Sequence, residues 1–161
     1  MDAKLLAAMA AHVDVEERAS RVYRQLSAWC EWQSWVGSAA LFRRESAEEA
    51  GHVQEWQDYV LDRGGMAMVG PQSPIAPGLP QDPLLTCYEA ALRSEESVLG
   101  AVNATATMAE ECGDWDAVRF CQHYAEIGVK QIRDLTTLVV TLRRAGADMA
   151  AMQAFDRELV A

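Results

Sequence analysis

The sequence predicts an all-α protein in which four long helices form a bundle and a short fifth helix follows. Three observations lead to this fold class. Apolar residues recur at alternating spacings of three and four in four successive segments, which is the period of one helix face. All five prolines lie in the connection between the second and third segments. Nothing in the sequence resembles the apolar-polar alternation of a half-buried strand.

Glycine and proline set the boundaries of the second and third helices. Gly64-Gly65 suits the left-handed conformation that follows a helix, so it ends the second segment. Asp82-Pro83 has the pattern of an N-cap followed by proline in the first turn, so it begins the third. The stretch between them is predicted to be extended. Proline lacks a backbone donor and disfavours helical geometry in the residue before it.

Similar signals mark the last two helices. Gly113-Asp114 interrupts the chain and caps it again, and Gly146 ends the fourth segment. Asp148 is placed to cap a short final helix. The predicted helices span residues 3–32, 38–63, 83–112, 115–145 and 148–159. Two short connections and one long one predict an up-down-down-up bundle within a single domain, the long connection crossing over along its length.

Ionisable residues interrupt the predicted core face of the first three helices. Glu16 lies in the first, Glu49 and His52 in the second, and Glu95 in the third, all near the same height of the bundle. Buried carboxylates are costly when unpaired and repel one another when grouped. A divalent or trivalent cation removes both costs. Glu49 and His52 are three residues apart on one face, the Glu-x-x-His spacing of carboxylate-bridged di-iron bundles, and mixed oxygen and imidazole ligands suit iron or manganese.

Three further residues on these faces have more than one interpretation. His12, one turn before Glu16, is interpreted as a hydrogen-bonded core histidine rather than a ligand. Tyr23 either packs in the core or is a redox-active neighbour of the metal. Glu45 is interpreted as a charge beside the site or facing a channel.

Composition excludes several classes of protein. The formal net charge of −10 disfavours binding to nucleic acid phosphates. No apolar run reaches the ~20 residues needed to cross a bilayer, so no membrane partner is expected. We expect no signal peptide, because the N-terminus lacks a basic cluster followed by a long apolar run and a cleavage site. The four cysteines contain no CxxC pair and are interpreted as small core residues, which favours a reducing, cytoplasmic location.

At these residues the chain resembles bacterial non-haem ferritins over nearly its whole length. The similar segments run from Glu16 to Cys30 and from Leu41 to His52, and the tail from Phe155 resembles the family's short fifth helix. The resemblance implies a hollow homo-oligomeric shell of twenty-four subunits. Each subunit is expected to oxidise Fe(II) with O2 at a di-iron ferroxidase centre and to pass Fe(III) to a stored mineral.

The resemblance also implies roles for individual residues. Glu16, Glu49 and His52 would hold the first iron, Glu49 would bridge, and Glu95 would bind the second. With Tyr23, these four form the candidate catalytic set. On the fourth helix the family places Gln or Glu at two positions three residues apart, which correspond here to Gly128 and Gln131. Gln131 can supply a neutral oxygen, whereas Gly128 supplies none, so the second iron is expected to bind weakly.

Other positions depart from the pattern of related families. Ala50 stands where bacterioferritins carry the methionine that ligates haem, so no haem is expected. Lys130 stands where related ferritins carry an acid for a third iron, which argues against that site despite Glu48. Glu126 lies off the core face. Asp114 and Asp116 lie where family members build threefold pores, or they simply cap a helix.

Two functions from different classes therefore stay open. The first is iron storage and detoxification with ferroxidase activity. The alternative is a shell subunit whose iron site is degenerate and weakly catalytic, an interpretation that Gly128 favours. A di-iron oxidase acting on an organic substrate and a DNA-protecting mini-ferritin of twelve subunits fit the sequence less well.

Overall fold

The computed structural model of the protein describes residues 1–72 and 84–160. Over these ranges the chain forms five helices and no strand, which confirms the all-α fold class. The helices are α1 (Ala3–Trp32), α2 (Val36–Asp62), α3 (Leu84–Glu111), α4 (Trp115–Ala145) and α5 (Met149–Glu158). None of them is long and apolar enough to cross a membrane.

The four long helices pack as two hairpins joined face to face. α1 lies along α2, α3 lies along α4, and α1 also contacts α3, while α5 closes one end against α2 and α4. The apolar core divides into two clusters. One is centred on Met9, Trp56 and Val102, and the other, next to α5, is centred on Phe42 and Tyr88. The boundary between the clusters is where the candidate site lies.

Local signals account for most of the helix ends. Gly64 and Gly113 adopt φ angles of 79° and 67°, the left-handed conformation expected after α2 and α3. Asp114 caps α4 by accepting a hydrogen bond from the backbone N–H of Ala117. Asp148 caps α5 in the same way. The predicted cap at Asp82-Pro83 lies outside the described residues.

The start of α2 has a different explanation. The helix begins at Val36, two residues before the predicted start, and Trp35 at its N-cap makes no side-chain cap. Instead, the buried carboxylate of Asp156 in α5 accepts hydrogen bonds from the backbone N–H groups of Gly37 and Ser38, at 3.0 and 2.7 Å. A Cβ at position 37 would lie 1.8 Å from the carbonyl oxygen of Asp156, so only glycine allows this approach. The N-terminus of α2 is therefore capped by a side chain of α5 rather than by a residue next to it in the sequence.

The cysteines are mostly core residues, as expected from their isolated positions. Cys30, Cys87 and Cys121 are buried and unbridged, whereas Cys112 is exposed at the end of α3. The interpretation of all four as core residues is therefore wrong for Cys112, which comes one residue after the last residue of α3.

Candidate metal centre

Three potential ligands from α1 and α2 meet at the boundary between the two core clusters. Glu16, Glu49 and His52 each offer one ligand atom, and these atoms lie within 4.8 Å of one another. Nδ1 of His52 is 3.0 Å from Oε2 of Glu49 and 3.9 Å from Oε2 of Glu16. All three side chains are buried. The three-residue spacing on α2 and the antiparallel packing of α1 produce this arrangement.

His12 belongs to the support of this cluster. Its Nε2 lies 2.8 Å from Oε1 of Glu16, and its ring packs at 3.9 Å from that of Trp56. Burial lowers the pKa of His12 to about 4, an effect that the charge of Glu49 opposes and that of His52 reinforces. The ring is therefore neutral at physiological pH and orients Glu16 through the hydrogen bond. The interpretation of His12 as a hydrogen-bonded core histidine is confirmed.

Glu95 reaches the same boundary from α3. Its side chain is fully buried, and the hydroxyl of Tyr23 donates a hydrogen bond to its Oε1 at 2.6 Å. Burial raises the pKa of Glu95 to about 8, and the charges of Glu49 and Glu16 add to the effect. Glu95 is outside the three-residue cluster that meets the 4.8 Å distance.

The buried carboxylates are not satisfied by the protein alone. Oε2 of Glu16 and Oε2 of Glu95 have no hydrogen-bond partner among the described residues. Burial raises the pKa values of Glu16 and Glu49, so each carboxylate is costly to ionise in this environment. Burial lowers the pKa of His52, but its hydrogen bond with Glu49 and the nearby carboxylate charges together raise it to about 9. A cation bound among these oxygens and the imidazole would satisfy the unpartnered oxygen atoms and replace the proton.

The fourth wall of the site is α4, and its contribution is different. Gln131 directs its amide Nε2 toward Oε1 of Glu49 at 3.3 Å, which leaves its carbonyl oxygen free of that contact. Gly128 is buried against Leu99, whose Cδ1 would lie 3.4 Å from an added Cβ. Among the other sequence candidates on α4, Glu126 is exposed and Lys130 is paired with Asp134 at 3.7 Å. No carboxylate of α4 joins the cluster within the described residues.

One residue beside the site does not belong to the core face that the sequence predicts for α4, which passes through Cys121, Ala125 and Gly128. Tyr124 is buried, its ring meets that of His52 edge-on at 5.3 Å, and its hydroxyl donates to Oε2 of Glu55. Spacings of three and four lead from Cys121 to Gly128 through either Tyr124 or Ala125. The sequence pattern therefore did not decide between these two positions.

A cavity of about 240 Å³ lies between α2 and α4 beside the cluster. It reaches Tyr23 and Gln131, which contact Glu95 and Glu49 respectively. The charged groups at its walls include Glu45 and Glu48, so the expectation of a channel-facing position for Glu45 agrees with its location. The cavity, which Arg44 and Lys130 also line, therefore comes within one side chain of the buried carboxylates Glu49 and Glu95.

The chain is similar to proteins of one family. A family model described as ferritin-like domain matches residues 6–145. The bacterial non-heme ferritin of Escherichia coli O6:H1 is 27% identical over 148 residues, 91% of this chain and 88% of that protein. The bacterial non-heme ferritin of Staphylococcus epidermidis is 25% identical over 158 residues, 98% of this chain and 94% of that protein.

Solved structures are similar in fold over almost the whole chain. A ferritin of Archaeoglobus fulgidus engineered into a closed form superposes with a TM-score of 0.92 at 23% identity, covering 99% of this chain and 96% of that one. The open-pore ferritin of the same archaeon gives a TM-score of 0.90 at 23% identity, covering 99% and 97%. These similarities agree with the four-helix bundle and short final helix described above.

Proposed function

Since the chain belongs to the ferritin-like domain family, we propose that it stores iron and oxidises Fe(II) with O2 at a centre formed by Glu16, Glu49, His52 and Glu95. The observation that carries the proposal is the buried cluster whose three ligand atoms lie within 4.8 Å of one another. Its unpartnered carboxylate oxygen is a second sign that a cation completes the site. Iron is the substrate and cargo here.

The side chains would divide the work of holding Fe(II). Glu16 and His52 would bind the first ion, Glu49 would bridge toward a second, and Glu95 would bind that second ion from α3. His12 would keep an oxygen of Glu16 oriented through its 2.8 Å hydrogen bond. Tyr23 would do the same for Glu95. Gln131 would steady Glu49 and offer its carbonyl oxygen as a neutral ligand.

Oxidation would follow from the electrostatics of the site. Two carboxylates and an imidazole, desolvated by burial, stabilise Fe(III) more than Fe(II) because the product carries the higher charge. Fe(II) would displace protons that burial holds on the carboxyl groups, and the cavity between α2 and α4 would carry ions to or from the centre. Transfer of electrons to O2 is then the chemistry of the metal.

Assembly is part of the same proposal. The bacterial relatives named above are described as non-heme ferritins, and the family resemblance implies a closed homo-oligomeric shell of twenty-four cytoplasmic subunits. α5, the region that resembles the family's short fifth helix, is anchored to α2 through Asp156. Size-exclusion chromatography with light scattering would test the shell, and a dimer or a twelve-subunit particle would contradict it.

A specific observation favours a second candidate function. Gly128 faces Leu99, and Gln131 presents its amide nitrogen to Glu49, so α4 supplies no carboxylate to a second iron. The alternative is a shell subunit whose site binds one ion well and oxidises slowly. Both candidates store iron, and they differ in the rate of the first turnover.

Aerobic mixing of Fe(II) with the metal-free protein tests the proposal. We expect rapid formation of Fe(III), followed by absorbance, and a loss of roughly tenfold or more in initial rate for Glu49→Gln, because a bridging ligand would be removed. Glu96→Gln is the matched control, since it removes an exposed carboxylate next to Glu95. If wild type and Glu49→Gln oxidise Fe(II) equally slowly, the centre is not catalytic.

A further inference from the structure

Glu45 brings a further carboxylate of α2 to the candidate centre. It lies one helical turn before Glu49, and it lines the cavity between α2 and α4 together with Tyr23 and Gln131. Its side chain is only 16% exposed, whereas that of its ion-pair partner Arg44 is 64% exposed. The carboxylate of Glu45 is therefore largely withdrawn from solvent, although the centre described above gives it no task.

The charge of Glu45 reaches the groups proposed for the second ion. Burial raises the pKa of Glu95 most, and the charge of Glu45 is among those that raise it further. Burial likewise raises the pKa of Tyr23, whose hydroxyl donates to Glu95, and the charge of Glu45 adds to that effect. The carboxylates of Glu45 and Glu95 therefore face one interior space beside Tyr23.

The same space holds an oxygen atom that the protein leaves unsatisfied. Oε2 of the fully buried Glu95 has no hydrogen-bond partner among the described residues. Gln131 turns its amide nitrogen toward Glu49, so its carbonyl oxygen is free of that contact. A buried polar atom without a partner is costly, and an ionised carboxylate can only accept hydrogen bonds or bind a cation. These oxygen atoms indicate a position for a cation at the inner end of the cavity.

We infer that Glu45 completes the second ion position, in place of the carboxylate that α4 does not supply. The ion would be bound by Glu45 and Glu95, with Glu49 as the bridge to the first ion and the carbonyl oxygen of Gln131 as a neutral ligand. The inference rests on the proposed function, because it assigns a ligand to the second Fe(II) of the same centre. It places that ligand on α2, in the sequence Glu45-x-x-x-Glu49-x-x-His52.

The balance of charge supports a fourth carboxylate. Two divalent ions carry four positive charges, whereas Glu16, Glu49 and Glu95 carry three negative charges when they are ionised. Glu45 supplies the fourth negative charge. Because uncompensated charge is costly in a buried site, the second ion should bind more tightly where the ligands neutralise it. Gly128 on α4 has no side chain with which to provide this charge.

The surroundings distinguish Glu45 from the other acids that line the cavity. Asp134 pairs with Lys130 at 3.7 Å and is about half exposed, and Glu48 is exposed. Glu45 is mostly buried and pairs only with Arg44, at 3.1 Å, among the described residues. Ion pairs with an exposed partner contribute little to stability. A cation in the cavity can therefore displace Arg44 from Glu45 at small cost.

Calorimetric titration of the metal-free, full-length protein with Zn²⁺ tests the inference. Zn²⁺ is a redox-inert probe for Fe(II), so binding is measured without oxidation. We expect a tighter and a weaker binding event in the wild type. Glu45→Gln should weaken the second event by about tenfold or more and leave the first within about threefold. Arg44→Gln should strengthen the second event by about two- to fivefold, because it removes the competing cation.

Glu48→Gln is the matched control, since it removes an exposed carboxylate of the same cavity. It should change the second affinity by less than about threefold. Adding Gly128→Glu to Glu45→Gln should restore the second affinity, because it returns the missing charge from α4. That rescue separates loss of a ligand from loss of structure. Equal losses in Glu45→Gln and Glu48→Gln, or no second event in the wild type, overturn the inference.

This inference and the proposed function fail in different ways. Rapid formation of Fe(III) in the wild type, together with an unchanged second Zn²⁺ affinity in Glu45→Gln, overturns the inference and leaves the proposed function intact. A wild type that forms Fe(III) no faster than Glu49→Gln overturns the proposed function. In that case, loss of the second Zn²⁺ in Glu45→Gln alone would still support Glu45 as a ligand.

Discussion

The two hairpins of the bundle contribute unequally to the candidate centre. α1 and α2 bring together three potential ligands whose donor atoms lie within 4.8 Å, with His12 of α1 supporting Glu16. α3 and α4 contribute one carboxylate, Glu95, the amide of Gln131 beside Glu49, and a glycine where a second ligand would be expected. Both hairpins consist of two long helices that bury apolar faces. The difference therefore lies in the side chains at one height of the bundle.

This asymmetry shows how a fold and its chemistry can separate. The bundle needs only apolar contacts at each level, so Gly128 against Leu99 satisfies the packing of α4 as well as a ligand would. The chemistry needs charge from several walls at once. A centre can thus lose one wall's contribution while the fold is retained.

The largest expected effect comes from removing one carboxylate from each hairpin. Glu49→Ala should weaken binding of the first Zn²⁺ or anaerobic Fe(II) by roughly 100-fold, at least as much as the loss of an outer-shell partner of a metal site. Glu95→Ala should leave that first affinity within a few fold, because Glu95 lies outside the close cluster. Isothermal titration calorimetry measures both. Equal losses in the two variants would show that the asymmetry has no energetic meaning.

A carboxylate introduced on α4 should increase the contribution of the second hairpin to ion binding. A Cβ at position 128 would make ordinary contact with Leu99 at 3.4 Å, so a side chain can begin there without strain. Gly128→Glu should strengthen binding of a second ion by about tenfold or more. Gly128→Leu is the control of similar size without a ligand. If both variants bind the second ion alike, the missing carboxylate is not what limits the site.

The pH dependence of the stability of the metal-free protein should reveal the energetic cost of ionising the buried carboxylates. The pKa of Glu95 is about 8 in the folded protein against an ordinary value of 4.5, so its contribution to stability is lost as pH rises between these values. His52, with a pKa of about 9 against 6.5, acts in the same direction above pH 6.5. His12, with a folded pKa of about 4, acts oppositely but only below pH 6.5. The melting temperature should therefore fall from pH 6.5 to pH 8.

Thermal unfolding with and without Zn²⁺ checks this pH dependence. Bound Zn²⁺ should reduce or reverse the fall, because the ion binds the ionised carboxylates and its affinity rises with pH. Glu95→Gln should flatten the profile of the metal-free protein. A wild-type profile with the same slope as that of Glu95→Gln would show that Glu95 does not contribute to it.

The smallest effect should be the same in both hairpins. Gly51 in α2 and Gly100 in α3 are exposed within helices, and a Cβ at either would meet nothing within 4 Å. Gly51→Ala and Gly100→Ala should each raise the free energy of unfolding by about 0.5–1 kcal/mol, the propensity difference between the two residues. Chemical denaturation measures this. Clearly unequal gains would mean that the hairpins differ in more than their ligands.

Much of the fold could be predicted from local signals. The bounds of α1 and α4 agree with the predicted 3–32 and 115–145. Asp2 caps the start of α1, and Asp114 and Gly146 mark the two ends of α4 in the sequence. The start of α2 could not be predicted in this way. Its cap comes from Asp156, which is 118 residues from Ser38 along the chain, and no local pattern reports such a contact.

The candidate site also contains residues that local sequence patterns predict and one that only a tertiary contact identifies. Glu16, Glu49 and His52 could be grouped from helical spacing alone, since each interrupts an apolar face at the same height. The role of His12 also followed from its spacing to Glu16. Tyr124 was missed because the pattern on α4 fits Ala125 equally well, and only packing against His52 distinguishes them. That the grouped residues bind iron stays a prediction.

The tertiary contacts at the two ends of α2 have a consequence for how the ligands are positioned. Asp156 accepts a hydrogen bond from the first turn of α2, and Arg63, just past the last turn of α2, pairs with Asp114 at 2.6 Å. A shift of α2 by one residue along its axis, ~1.5 Å, would break both contacts. Contacts at both ends of α2 therefore fix the position of the helix along the bundle axis. Glu49 and His52 are thus positioned beside Glu16 in the metal-free protein, so an ion can bind without a shift of α2 along its axis.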